Sequence, residues 1–89
     1  MITVEFASSL RRHVDCAPQQ VQAQELRGAL EAALTAAPAL APYVFDDQRN
    51  VRKHVAVFVN QEMLRNRSKL DLALQDGDRV LVIQALTGG

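Results

Sequence analysis

A single amphipathic stripe in the middle of the sequence limits the folds open to this chain. Apolar side chains recur there at intervals of three and four residues: Leu26, Ala29, Leu30, Ala33 and Leu34. This spacing puts them on one face of an α-helix. Good helix formers surround them and Pro38 stops the helix, so the sequence predicts a helix over residues 24–36. A helix with one apolar face needs another layer to pack on.

β-strand patterns stand before the helix. Residues 2–6 alternate apolar and polar side chains, which puts the apolar ones on one face of a strand. The alternation is weaker over residues 10–24, where Val21 and Ala23 are the best inward-facing candidates. Pro18 argues that any strand in this segment begins after it. We therefore expect a β-hairpin before the helix.

Further strands follow the helix. The β-branched run at residues 55–59 predicts a strand, and we expect a turn at residues 60–61 and a short strand at residues 62–64. The Asp-Gly-Asp sequence at residues 76–78 is a strong turn signal, because glycine supplies positive φ and aspartate hydrogen-bonds its own backbone. Residues 79–84 then predict the last strand.

Two segments have no clear period. Residues 38–53 contain two prolines and a polar run, which favours an irregular connection with one short helical turn at residues 41–45. Residues 68–74 fit either another turn of helix or an extended arm.

The order of elements is strand, strand, helix, strand, short strand, strand. It is typical of an α+β fold, with one helix crossing a mixed sheet of about four to five strands. With 89 residues the chain has room for one domain, residues 1–89. If the first and last strands pair side by side, a flexible C-terminal tail, residues 85–89, leaves from the end of a central strand.

Charge and the rarer residue types argue against several functions. Ten basic and ten acidic side chains cancel, so neither nucleic acid nor an anionic membrane is an expected partner. The chain has no basic leader and no apolar run near the roughly 20 residues that span a bilayer, so we expect a cytoplasmic protein. Cys16, the only cysteine, is expected to be an incidental free thiol. His13 and His54 have no partners at zinc-ligand spacing, so no metal site is expected.

Three short motifs resemble a known family. Val59-Asn60 ends the middle strand, the run from Leu74 to Val80 reads Leu-Gln-Asp-Gly-Asp-Arg-Val, and Gly88-Gly89 ends the sequence. Their order and spacing, over essentially the whole chain, resemble the ubiquitin-like sulfur carriers, which include the small subunit of molybdopterin synthase and ThiS-type thiazole carriers. That family often has proline just before the two glycines, where this chain has Gln-Ala-Leu at residues 84–86. The long connection at residues 38–53 favours the molybdopterin-synthase-like or cysteine-type branch.

The resemblance implies a ubiquitin-like β-grasp fold and a carrier function. An adenylating enzyme similar to ubiquitin-activating enzymes would use ATP to activate the Gly89 carboxylate. A sulfur donor such as a rhodanese or a cysteine desulfurase would convert it to a thiocarboxylate, and a sulfur-accepting synthase would receive the sulfur. The chain itself would bind no cofactor and would not be an enzyme. Three alternatives stay open: the small subunit of molybdopterin synthase, a modifier joined to lysines through Gly89, and an interaction module that is never activated.

The two terminal glycines fit this chemistry. Gly88 and Gly89 lack a Cβ atom, so they can enter a narrow channel with φ of either sign, and the carboxylate carbon meets little steric obstruction. A terminal glycine pair arises by chance in roughly 0.5% of chains at average glycine content, and the pair gains weight from the other motifs. Gly89 is either the encoded end or an end exposed by cleavage of a precursor.

The last strand predicts a docking surface. Its apolar side chains occupy both faces, with Val80 and Val82 on one and Leu81 and Ile83 on the other. One face packs under the helix, and the other is available to a partner protein. We expect the partner-binding residues to be Phe58, Met63, Leu81, Ile83, Leu86 and Thr87. The alternative is that the strand residues complete a core beneath the connection at residues 38–53.

Overall fold

The structure is a computed structural model that describes residues 1–11, 17–66 and 68–84. Its elements, in chain order, are β1 (Ile2–Phe6), α1 (Ser8–Arg11), β2 (Gln19–Val21), α2 (Leu26–Ala36), a 3-10 turn (Pro38–Leu40), α3 (Ala41–Val44), β3 (Val55–Val59), β4 (Glu62–Met63) and β5 (Arg79–Gln84). The predicted α+β fold is confirmed: one main helix crosses one mixed sheet. Within the described ranges, no helix is long and apolar enough to cross a membrane.

The sheet has five strands in the order β2-β1-β5-β3-β4. Its central strand, β5, pairs parallel with β1 and antiparallel with β3. β2 and β4 add short antiparallel edges. The first and last strands therefore do pair side by side, and the central strand ends at Gln84.

Helix α2 packs on one face of the sheet. Its buried residues are those of the predicted stripe: Leu26, Ala29, Leu30, Ala33 and Leu34. The side chains that the three longest strands bury in the same core are Ile2, Val4, Phe6, Val55, Val57, Val80 and Val82. Fully burying one Val, Leu, Ile or Phe side chain contributes roughly 1.5–3 kcal/mol. The contact between α2 and the sheet thus contributes a large share of the stability.

Helix α2 begins two residues later than the sequence predicts, at Leu26. The reason lies in the arm at residues 68–74. Its carbonyl at Leu72 accepts a hydrogen bond of 2.9 Å from the N–H of Leu26, and its carbonyl at Leu70 accepts one of 2.8 Å from Arg27. The first N–H groups of a helix have no partner inside the helix. Here a distant segment satisfies two of them, and this contact sets the start of the helix.

The arm at residues 68–74 forms no helix, which decides between its two predicted conformations. Glu25 and Ala73 form an isolated β-bridge, and the Leu74 N–H donates to the carbonyl of Gln24 at 2.9 Å. Glu25 is accordingly extended, with φ −136° and ψ 158°. The two residues that were predicted to open the helix instead join the arm.

The connection between β1 and β2 contains a helical turn that was not predicted. Ser8–Arg11 forms α1, which lies against β5, and Leu10 is fully buried. β2 begins at Gln19, directly after Pro18, and pairs antiparallel with β1 as the predicted hairpin requires. A four-residue helix makes about one turn, which is too short to show a helical period in the sequence.

The connection at residues 38–53 is irregular, and its predicted helical turn is α3. Asp46 closes the loop that follows, since its Oδ1 accepts hydrogen bonds of 2.9 Å from the backbone N–H groups of Gln48 and Asn50. The buried residues of the connection are Leu40, Val44 and Val51. They belong to the same core as α2, so the connection covers the helix side of the sheet.

Candidate functional site

The sheet face opposite α2 is open. Successive residues of a strand point to opposite faces, so alternate residues of β1, β3 and β5 share this side. The residues of the open face are Thr3, Glu5, Ala56, Phe58, Arg79, Leu81 and Ile83. All seven are half-buried or exposed, whereas most of their strand neighbours on the other side belong to the core: Ile2, Val4, Phe6, Val55, Val57, Val80 and Val82.

Strand register arranges the open face in rows. Glu5 lies opposite Leu81, Leu81 lies opposite Phe58, and Phe58 lies opposite Met63. Cβ atoms of directly opposite residues are about 4.5–5.5 Å apart. The result is one continuous row over four strands, with a carboxylate at the β1 end and three apolar side chains beyond it.

A shallow groove of about 590 Å³ runs over the open face. Three predicted partner-binding residues line it: Phe58, Leu81 and Ile83. All three are half-buried and none belongs to the hydrophobic core. The alternative, in which they complete a core beneath the connection at residues 38–53, does not fit, because that connection packs on the α2 side. The groove has the composition expected of a docking site.

The other predicted site residues are not in this groove. Met63 lies on the edge strand opposite Phe58 and is 55% exposed, but it does not line the groove. The remaining four are Leu86, Thr87, Gly88 and Gly89, which lie outside the described residues. The structure gives their point of departure, since β5 ends at Gln84.

The Val-Asn and Asp-Gly-Asp motifs meet at one end of the sheet. Asn60 Nδ2 donates a hydrogen bond of 2.9 Å to Asp78 Oδ1, and Asn60 Oδ1 accepts one of 3.0 Å from the Arg79 N–H. Asp78 Oδ2 accepts a further bond of 2.8 Å from the Gln75 N–H. These bonds join the β3–β4 turn to the turn before β5. The two motifs therefore have a structural role, and they fix how β3 and β5 meet.

Both turns need unusual backbone angles. Asn60 and Gln61 have φ of 50° and 74°, and Gly77 has φ of 94°. Asparagine tolerates this left-handed region better than most residues and glycine adopts it freely. The Gln75 N–H and then the Asn60 amide hold the pKa of Asp78 below its ordinary value of 3.8, because both donors stabilise the charged carboxylate.

The turn at residues 76–78 also holds the start of β1. The ammonium group of Met1 pairs with Asp76, the Gly77 N–H donates to the Met1 carbonyl at 3.0 Å, and the Thr3 N–H donates to the Asp78 carbonyl at 3.0 Å. These contacts fix the register of β1 against β5. They thereby decide which β1 side chain lies beside Leu81.

Sequence analysis missed two charged residues of the groove, Glu5 and Arg79. Glu5 is half-buried and Arg79 is exposed. The ion pairs found among the described residues are Met1 with Asp76 and Arg49 with Glu31, so neither groove residue is paired there. The alternation of residues 2–6 puts Glu5 on the outer face, but its place beside Leu81 follows only from the strand register.

Cysteine and histidine add no further site in the described part of the chain. Cys16 and His13 lie outside it, and His54 is exposed. Over residues 1–11, 17–66 and 68–84, no group of three or more His, Cys, Asp or Glu residues could hold a metal ion.

A five-stranded mixed sheet crossed by one main helix defines the class of the protein, the ubiquitin-like β-grasp proteins. The chain belongs to the ThiS family of ubiquitin-like sulfur carriers, whose family model matches residues 4–89. The family predicted from the motifs is thereby confirmed. No curated protein matches the sequence at a significant level.

Several solved structures share the fold. SAMP1 from Haloferax volcanii superimposes with a TM-score of 0.83 at 24% identity, covering 99% of this chain and 98% of that one. A chain of the BexX/CysO complex from Amycolatopsis orientalis gives 0.82 at 19% identity and covers 100% of both chains. Urm1 from Trypanosoma brucei gives 0.73 at 25% identity, with coverage of 99% and 94%. Among these, the BexX/CysO structure is of a protein with its partner.

Proposed function

We propose that this chain is a sulfur carrier whose working group is the carboxylate of Gly89. An adenylating enzyme activates this carboxylate, and sulfur then converts it to a thiocarboxylate. The main support is the extent of the family match, which runs to residue 89 and so includes both terminal glycines. On this proposal the chain is a protein substrate and sulfur donor rather than an enzyme. Because activation consumes ATP, we place the reaction in the cytoplasm.

The chemistry needs two steps, because a carboxylate is a poor electrophile whose oxygen is a poor leaving group. In the first, a carboxylate oxygen of Gly89 attacks the α-phosphorus of ATP and pyrophosphate leaves. In the second, the sulfur of hydrosulfide attacks the carbonyl carbon, the bond from this carbon to the AMP oxygen breaks, and AMP and a proton are released. Gly88 and Gly89 suit both steps because no Cβ atom hinders access to the reacting carbon.

The open face supplies the docking surface for the adenylating enzyme. Its groove has an apolar floor formed by Phe58, Leu81 and Ile83. Two of these side chains are on β5, the strand that continues into the tail. Five residues follow Gln84, and an extended chain advances at most 3.3–3.6 Å per residue, so Gly89 reaches no farther than about 18 Å from the end of β5. An enzyme bound to the groove therefore needs its nucleotide site within this distance.

The proposal implies two more partners. A sulfur donor such as a rhodanese or a cysteine desulfurase supplies the sulfur as a persulfide, from which a second thiol releases hydrosulfide as the two remaining sulfurs form a disulfide. A cofactor-building synthase accepts the sulfur. The chain binds no cofactor itself, and ATP is bound by the adenylating enzyme. Acceptors in molybdopterin, thiazole, cysteine or siderophore synthesis all use the same thiocarboxylate.

A second candidate is a protein modifier that is joined to lysines through Gly89. The solved small archaeal modifier protein 1 from Haloferax volcanii favours it, with a TM-score of 0.76 over 96% of this chain. Both candidates begin with adenylation of Gly89 and differ in the nucleophile that follows. The small subunit of molybdopterin synthase is a special case of the sulfur carrier. Stable co-purification with a large subunit would identify it.

Intact-mass spectrometry tests the proposal. The chain is incubated with ATP, a sulfide salt and the adenylating enzyme of the same organism. We expect a mass gain equal to the replacement of one oxygen by sulfur, located in the C-terminal peptide. A conjugate with a lysine-containing protein would instead support the modifier.

Two variants serve as controls for this assay. A chain that lacks Gly89, and a chain with one alanine added after it, should gain no sulfur. Adenylation of the shortened chain at the normal rate would contradict the role of Gly89. An unchanged mass of the native chain, with an enzyme that activates another carrier, would favour the interaction module.

A further inference from the structure

Glu5 places a carboxylate at the end of the apolar row on the open face. Its strand, β1, lies between β2 and β5, but β2 pairs only with residues 2–4, so Glu5 has its strand neighbour on the β5 side. It lies opposite Leu81, and both residues line the groove. Glu5 is half-buried, although an acidic side chain in a strand usually extends fully into water. Glu5 is therefore part of the groove wall.

No cation neutralises Glu5 within the described structure. Arg79 lines the same groove, on the neighbouring strand and opposite Thr3, two residues before Leu81. With strands about 4.8 Å apart and a rise of about 3.3 Å per residue, the Cα atoms of Glu5 and Arg79 are roughly 8 Å apart on a diagonal. The two side chains are thus separate charges of opposite sign at the edges of one apolar surface.

Any protein that covers Leu81 and Phe58 also removes water from Glu5. Burying a charged group without a partner is costly, whereas a well-placed ion pair largely offsets the loss of water. A partner for this groove must therefore carry its own cation at the position that meets Glu5. Arg79 is exposed at the rim and calls for an acidic group by the same reasoning, with a smaller effect because it stays near water.

We propose that the adenylating enzyme recognises the open face through a fixed charge pattern. It places a lysine or arginine over Glu5, an aspartate or glutamate beside Arg79, and apolar side chains over Leu81 and Phe58. This inference rests on the proposed function and adds the residues that orient the bound carrier.

The diagonal of opposite charges makes the docking directional. An apolar surface alone binds almost equally well after a half-turn about the axis normal to the sheet. With the charge pattern, a half-turn about the Leu81 and Phe58 contact moves the partner's base away from Glu5 and its acid away from Arg79, so both charges lose their partners. Only one orientation keeps both ion pairs, and it fixes the direction of β5, which ends at Gln84, relative to the enzyme.

Isothermal titration calorimetry of the full chain with the adenylating enzyme, in the absence of ATP, tests the charge pattern. We expect Glu5→Lys to weaken the Kd about thirtyfold or more. Glu5→Gln, which keeps the shape, should weaken it about tenfold, and Arg79→Glu should weaken it by a similar factor.

Matched controls come from the arm at residues 68–74, which does not line the groove. Asp71→Lys and Lys69→Glu make the same charge changes at exposed positions, and each should change the Kd less than about twofold. Unfolding in urea shows whether each variant is folded. If Glu5→Lys fails to fold, Glu5→Gln still decides the question.

Equal Kd values for the native chain and the Glu5 variants would overturn the charge pattern, and so would equal losses in Glu5→Lys and Asp71→Lys. The proposed function fails separately, if the native chain gains no sulfur in the mass assay. A chain that gains sulfur normally, and whose binding does not depend on Glu5, leaves the proposed function intact and removes this inference alone.

Discussion

Replacing Ile83 with aspartate should separate docking from folding. Ile83 is half-buried and lines the groove, and it does not belong to the hydrophobic core. Full burial of such a side chain contributes about 1.5–3 kcal/mol, so losing a half-buried one costs about 1 kcal/mol. The poor strand propensity of aspartate adds up to about 1 kcal/mol. The free energy of unfolding should therefore fall by roughly 1–2 kcal/mol.

Val82→Asp is the matched control, because it puts the same side chain at the next position of the same strand. Val82 is fully buried in the hydrophobic core. A carboxylate there has no cation to meet, which costs several kcal/mol. At 0.05–0.15 kcal/mol per residue, the whole chain is stable by only about 4–13 kcal/mol. Val82→Asp should therefore leave much of the protein unfolded at room temperature.

Two measurements compare these variants. Thermal unfolding should show Ile83→Asp as a folded protein whose Tm is about 4–16 °C below the native value, from 4–8 °C per kcal/mol for a domain of this size. Calorimetric titration with the adenylating enzyme should show at least about thirtyfold weaker binding, the loss typical of a central interface residue.

Two results would refute this reasoning. If Ile83→Asp unfolds as completely as Val82→Asp, then Ile83 supports the core and the open face is not free. If Ile83→Asp folds and binds the enzyme with the native Kd, then the groove is not the docking surface. The second result would also remove the basis for a charge pattern around Leu81.

Three further changes test the structure. Asn60→Ala and Asn60→Gly should both be less stable to urea than the native chain, because both lose the same side-chain hydrogen bonds. Asn60→Ala should be the less stable of the two by about 1 kcal/mol, because only alanine is strained at φ 50°. Equal stability of the two variants would contradict this. Charged Asp78 stabilises the fold fully above its ordinary pKa of 3.8, and this contribution is lost as the pH falls through its lower folded pKa. The urea midpoints of the native chain and Asp78→Asn should therefore differ above pH 3.8 and converge below the folded pKa. Gly28→Ala should raise the unfolding free energy by about 0.5–1 kcal/mol, since a Cβ there meets only the Ala23 Cβ at 3.6 Å, and a lower Tm would show that this contact is too tight.

The elements that were predicted correctly have a strong local signal. The stripe around Leu30 has the helical period, and the run at residues 55–59 has β-branched side chains, so each predicts its own conformation. The start of α2 could not be found in this way. It depends on the carbonyls of Leu70 and Leu72, which lie more than forty residues farther along the chain. Such a contact has no trace in the local pattern.

The residues of the candidate site also fall into those that the local sequence predicts and those that depend on distant contacts. Leu81 and Ile83 were predicted for the outer face because side chains two residues apart in a strand point the same way. Their meeting with Phe58 and Glu5 depends on the registers of β3 and β1 against β5, and the sequence does not reveal a register. A charged residue in a strand normally signals a solvated face, so the sequence alone does not mark Glu5 as a site residue.

The position of β5 in the middle of the sheet determines how the chain responds to mechanical force. β1 and β5 run parallel, so tension between Ile2 and Gln84 slides the two strands past each other. The hydrogen bonds between them are then strained at the same moment, and those from β5 to β3 are strained with them. Breaking a ladder in shear needs more force than peeling its bonds one by one, which stretching the chain between these two residues in an optical trap would measure. A force applied to the C-terminal tail is therefore carried by the most firmly anchored strand of the protein.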